Sequence, residues 1–234
     1  MSESVLSVRG LNAWYGESHV LQGIDIEVKA GECITLLGRN GAGRTSTLRA
    51  VMGLVGKRTG SIRVFGKETV GMPTHRIARL GIGYCPEERG IYASLTAEEN
   101  LLLLPKVGEG GMSLDQIYDM FPNLTERASS PGTRLSGGEQ QMLAMARILR
   151  TGANLLLLDE ITEGLAPVIV QKLGQVIRSL KASGFTLVLV EQNFRFAKHL
   201  ADRHYVIEHG RVVEVIAAAD VEAKQGRLDE LLGI

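Results

Sequence analysis

The sequence predicts an α/β protein with a mainly parallel core sheet, an antiparallel β lobe and a small helical lobe. Three observations predict it. Ile34 to Leu37, Leu155 to Leu158 and Thr186 to Val190 are short, continuously apolar runs, the pattern of strands buried on both faces of a parallel sheet. Val5 to Val8, Val20 to Val28 and Ser61 to Phe65 alternate instead, separated by glycine-bearing turns such as Lys29-Ala30-Gly31-Glu32, as antiparallel strands do. Between about residues 92 and 150 the pattern turns helical.

In that helical stretch Thr96-Ala97-Glu98-Glu99 makes a capping-box start, Leu114 to Phe121 is amphipathic, and Glu139 to Arg150 is strongly helical. Gly108 to Gly111 and Ser129 to Gly132 supply its loops. Arg211 to Ile234 predicts a final strand and a helix around Gly226 to Leu232. The 234 residues suit one large α/β domain carrying the helical lobe, rather than two separately folding units.

Composition narrows the function classes. Lys plus Arg and Asp plus Glu both number 26, which argues against a broad basic surface for nucleic acid. Cys33 and Cys85 form no CxxC pair, so neither a disulfide framework nor a zinc ribbon is expected, and a reducing cytoplasm fits. No run reaches the roughly 18 apolar residues that cross a bilayer, and the Met1-Ser2-Glu3-Ser4 start has no basic region leading into an apolar one. Work at a membrane would need a partner to hold the chain there. His19, His75, His199, His204 and His209 show no ligand spacing.

After the Ile34 strand comes Gly38-Arg39-Asn40-Gly41-Ala42-Gly43-Arg44-Thr45-Ser46, then a helical run. A glycine-rich turn opening a helix presents backbone N–H groups and a positive helix end to phosphate. The pattern is a Walker A loop with Arg44 where lysine is usual. Arginine keeps the charge, but its planar fork is larger than an ammonium. Thr45 supplies the hydroxyl expected on Mg²⁺. Asp159 and Glu160 end the Leu155 strand, where open α/β sheets place their ligand crevices. There Asp159 would hold Mg²⁺ through water and Glu160 would act as general base.

Leu135-Ser136-Gly137-Gly138-Glu139-Gln140-Gln141 makes a second anion-binding turn before a helix. One nucleotide has no need of two cradles in one chain, so this turn is expected to cap a nucleotide held by another subunit.

With these motifs the sequence resembles the ABC ATPase family over nearly its whole length, Leu135 to Gln141 standing as the family signature. The resemblance implies the P-loop NTPase fold of those ATPases and a head-to-tail dimer sandwiching ATP between one subunit's Gly38 to Ser46 loop and the other's signature. It also implies that Tyr15, in Trp14-Tyr15-Gly16, stacks on adenine, and that Gly164-Leu165-Ala166 is the dimer-contacting D-loop. Trp14-Tyr15-Gly16, Tyr84-Cys85-Pro86-Glu87, Leu135 to Met145, Glu163 to Pro167 and Val190 to Asn193 are similar to the ATPase subunits of branched-chain amino-acid importers. In that branch Glu87 replaces the Q-loop glutamine and Gln192 the switch histidine. Gln192 can donate to a γ-phosphate but shuttles no proton near neutral pH. Glu87 can ligate Mg²⁺.

The implied task is coupling ATP hydrolysis to integral membrane permease subunits from the cytoplasmic face, with a solute-binding protein engaged indirectly. Two alternatives stand beside it. An ATP-gated switch with weak hydrolysis is favoured by Arg44 and opposed by Glu160. A non-transport ABC ATPase would carry coiled-coil insertions, zinc cysteines or a second cassette, none of which the sequence shows.

Overall fold

The computed structural model describes residues 4–233. Residues 1–3, which hold most of the Met1 to Ser4 start, and residue 234, the end of the expected C-terminal segment, lie outside the described residues.

β1 (Ser4–Tyr15) and β2 (Ser18–Lys29) form a hairpin, and β3 (Cys33–Leu37) leads through the glycine loop into α1 (Arg44–Val51). β4 (Lys57–Val64) and β5 (Lys67–Glu68) return to the hairpin, giving an antiparallel sheet in the order β2-β1-β4-β5. α2 (Thr74–Ala78) and β6 (Ile82–Cys85) follow, then the helical run of α3 (Ala97–Leu103), α4 (Leu114–Met120), α5 (Pro122–Glu126) and α6 (Gly137–Arg150). β7 (Leu155–Asp159), α7 (Pro167–Ala182), β8 (Thr186–Val190), α8 (Phe194–Ala197), β9 (Arg203–Glu208), β10 (Arg211–Ala217) and α9 (Gln225–Leu232) complete the chain. The second sheet runs β10-β9-β3-β8-β7-β6 and is parallel except where β10 pairs with β9.

The apolar runs are continuous because both faces of this sheet are covered. Leu155 and Leu157 of β7 pack with Leu6, Val8, Leu48 and Val51, between the antiparallel sheet and α1. Leu156 and Leu158 point the other way, into a core with Met142, Leu143, Leu173 and Ile177 of α6 and α7. Each such side chain contributes about 1.5–3 kcal/mol on burial. No helix among the described residues is long and apolar enough to cross a membrane.

The helix starts follow the sequence rule. Thr96 caps α3 and Ser136 caps α6, each in a reciprocal box with the glutamate three residues on. One expectation shifts: Gly137 and Gly138 are the first residues of α6 rather than a turn before it, because the box with Glu139 starts the helix at Ser136. Cys33 and Cys85 are free and buried, and burial pushes both thiols up to about 12.

One buried histidine has a measurable consequence. His204 lies on β9 with Nδ1 2.7 Å from the Thr35 hydroxyl and Nε2 without a partner, and burial lowers its pKa to about 4. The unfolded chain therefore takes up a proton near 6.5 that the folded chain refuses, so this group's contribution to stability falls as pH drops from 6.5 toward 4. Glu191 has the opposite sign: burial pushes its carboxyl up to about 8, so it favours the fold more as pH falls from 8. The comparison of wild type with His204→Gln isolates the first effect. The variant is expected to lack about 2 kcal/mol of the loss between pH 7 and pH 5, read from urea unfolding at the two pH values.

Candidate functional site

The carboxyl ends of β3, β7 and β8 bring three loops to one crevice. Gly38 follows β3, and Gly38, Gly41 and Gly43 take φ values of +149°, +78° and +110°, which wrap the loop back onto the start of α1. α1 carries no side-chain cap and no acidic residue in its first turn. Its orphan N–H groups are thus left for an anion. The Gly210 N–H donates to the Ala42 carbonyl at 2.8 Å and ties the loop to the β9–β10 turn.

Asn40 to Ser46 line a cleft of about 410 Å³ together with Glu87, Glu160 and Glu163. A larger cavity, about 720 Å³, lies between α4, α5, α6 and α7, but its lining joins methionines and Phe121 to scattered polar groups and contains no phosphate cradle. The smaller cleft holds the chemistry. There the Thr45 hydroxyl donates to Asp159 at 2.9 Å, and the Tyr84 hydroxyl donates to the other Asp159 oxygen at 2.9 Å. Burial raises the Asp159 carboxyl above its ordinary value, these two hydrogen bonds opposing it.

Glu160 sits next along the chain at φ +46°, a left-handed conformation unusual outside glycine. It forms an ion pair with Arg44 at 2.7 Å. Burial and the neighbouring Glu163 push its carboxyl up to about 7, with Arg44 pulling the other way. Oxygens of Glu87, Glu160 and Glu163 lie within 4.8 Å of one another. Burial, then the nearby Glu163 and Asp159 charges, also raise the exposed Glu87. Gln192 is exposed after β8 and lines an adjoining cleft of about 230 Å³ with Glu160, Thr162 and Glu191.

The remaining predicted residues divide. Tyr15 ends β1 with 41% of its surface exposed, while both faces of the neighbouring Trp14 ring are taken, one by His19 at 4.3 Å and one by the Lys57 ammonium at 4.7 Å. Tyr15 is the free aromatic of the pair. Arg39 faces a different cleft, with His209 and Leu231, and comes close to Gly233 rather than joining the phosphate cleft. Ser136, Gly137, Gly138 and Glu139 line none of the phosphate cleft. The Glu139 carboxylate accepts from the Ser136 N–H at 2.7 Å and pairs with Arg127 at 3.1 Å, so it is occupied as a cap.

Sequence reasoning missed four participants. Tyr84 orients Asp159; Glu163 crowds Glu160; Glu191 accepts from the Thr162 hydroxyl at 2.7 Å; and Arg89, at φ +61°, donates to Gln140 and lies over Gly137. Tyr84, Glu163 and Glu191 stood inside stretches similar to the importer ATPases but were given no role, and Arg89 stood in none of them. What each touches is set by tertiary folding.

Residues 21–163 match the model of the ABC transporter family. The chain is 42% identical to the high-affinity branched-chain amino acid transport ATP-binding protein BraG of Pseudomonas aeruginosa, over 89% of this chain and 91% of that one. It is 31% identical to the lipopolysaccharide export system ATP-binding protein LptB of Escherichia coli, over 90% and 89%. A solved ATP-binding subunit of an ABC transporter superposes with a TM-score of 0.81 at 28% identity, covering 98% of this chain and all of that one.

Proposed function

The chain belongs to the ABC transporter family, as an ATPase of that family, and from this premise we propose that it energises an importer of branched-chain or related amino acids. The observation that carries the site assignment is the meeting of Asn40 to Ser46 with Glu160 in one cleft, to which the 2.9 Å Thr45–Asp159 contact joins the buried Asp159. The cargo assignment is supported by the higher identity to BraG than to the export-system ATPase LptB.

In this reading the loop N–H groups and Arg44 bind the β- and γ-phosphates, and Tyr15 stacks on adenine. Glu160 takes the proton of the attacking water, and Gln192 donates to the γ-phosphate. The donor set fits Mg²⁺: the Thr45 hydroxyl, Asp159 and Glu87 are all oxygens, and Asp159 is a buried carboxylate whose charge only neutral hydroxyls contact directly. When bound, the ion would neutralise phosphate charge. Thr45 and Asp159 hold their places through each other. Ser136 to Gly138, with Glu139 fixing their cap, serve the nucleotide of a second ATPase subunit, identical or different. Exposed Tyr92, Leu102 and Leu103 on and beside α3 offer an apolar face to the permease subunits on the cytoplasmic side of the membrane.

Cells lacking the chain are expected to lose high-affinity uptake of leucine, isoleucine and valine, measured with radiolabelled amino acids. Unchanged uptake, with MgATP hydrolysis retained by the purified protein, would assign another cargo.

A further inference from the structure

Arg44 departs from the Walker A motif, and its contacts go where a phosphate-binding residue has no need to go. Its side chain is only 4% exposed and meets three protein acceptors: a Glu160 oxygen at 2.7 Å, the Asn40 side-chain oxygen at 3.1 Å and the Glu191 carbonyl at 3.2 Å. The Glu160 side chain is itself only 12% exposed. The planar fork donates to them from two separate nitrogens, where a lysine would have one. Glu160 meets it from the left-handed backbone at φ +46°, a conformation that persists only where surroundings hold it.

We propose that Arg44 is a positioning residue acting through Glu160: it latches the carboxylate in the nucleotide-free chain, and a bound triphosphate opens the latch by drawing the guanidinium onto its own oxygens. The inference rests on the reading of Glu160 as general base. A carboxylate engaged with a buried guanidinium has its charge compensated and a lone pair occupied, so it is a poorer acceptor for a water proton. The phosphate chain brings several anionic oxygens to the same fork and competes for it. Because Ser136 and the start of α6 lie outside this cleft, the signature stays available to a partner's nucleotide whether the latch is shut or open.

The test is a double-mutant cycle on the purified full chain: wild type, Glu160→Gln, Arg44→Lys and the double variant, each titrated with Mg²⁺ and a non-hydrolysable ATP analogue. The cycle removes effects common to both backgrounds, such as the relief of carboxylate repulsion toward the γ-phosphate. Glu160→Gln is expected to tighten analogue binding at least fivefold when residue 44 is arginine and less than twofold in the Arg44→Lys background. Arg44→Lys alone is expected to lower KM for MgATP severalfold and to leave kcat within twofold, because the latch is already open in the nucleotide-bound chain. An equal effect of Glu160→Gln in both backgrounds, or an unchanged KM in Arg44→Lys, overturns the latch. Failure of all four chains to bind the analogue overturns the site assignment beneath it.

Discussion

Glu160→Gln is expected to lower MgATP turnover at least 100-fold, the usual scale for removing a general base, while the chain keeps its fold and binds nucleotide. The fold should hold because the glutamine carbonyl can still accept from Arg44, which also retains Asn40 and the Glu191 carbonyl. Turnover should fall because no amide accepts a water proton near neutral pH. Glu163 is the control. Its carboxylate shares the cluster with Glu160 and Glu87, within 4.8 Å, yet it lies four residues past the end of the strand, where its main effect is to raise Glu160. Glu163→Gln is therefore expected to change turnover less than tenfold. Phosphate release from the purified proteins reads both. Near-wild-type turnover in Glu160→Gln would move the base to Glu163 or Glu87.

What was legible in the sequence follows from how locally each feature is encoded. β3, β7 and β8 were legible because burial on both faces leaves no exposed position in them and makes their runs almost wholly apolar. β6 and β9 were not: β6 is four residues long and includes Gly83 and Tyr84, and β9 opens on the polar pair Arg203-His204, which interrupts the apolar run. The antiparallel strands were found but cut short. β1 and β2 each run 12 residues, and register shifts near Gly10 and Gly23 break the alternation that a short window detects.

The site divides the same way. Gly38 to Ser46 and Asp159-Glu160 are contiguous, so their chemistry is written in adjacent letters. The Arg44–Glu160 pair spans 116 residues and the Thr162–Glu191 contact 29, and only the parallel order β3-β8-β7 brings those strand ends together. Sequence reasoning saw that Arg44 was unusual and could not see what it would touch.

Gly38→Ala is the other change with a large expected effect, and the reason is not phosphate binding. A Cβ at Gly38 would stand 2.2 Å from the backbone oxygen of Ile207 and 3.1 Å from the Ala42 Cβ, with φ at +149°. Ile207 cannot retreat: β9 is paired to β3 on one side and, through Ile207 itself, to Val212 of β10 on the other. Relief must come from shifting the loop or parting the central strands, which is expected to cost at least about 3 kcal/mol, overpacking and backbone strain together. Gly41 provides the contrast. Its φ is +78°, but nothing lies within 4 Å of an added Cβ, so Gly41→Ala carries only the conformational strain, about 1–2 kcal/mol. Urea unfolding and ATP-analogue binding on the two variants separate the effects. Gly38→Ala should lose stability and nucleotide affinity together, and Gly41→Ala should keep most of both. A Gly38→Ala chain as stable as wild type would mean that the loop does not press on β9, and that this glycine serves the phosphate alone.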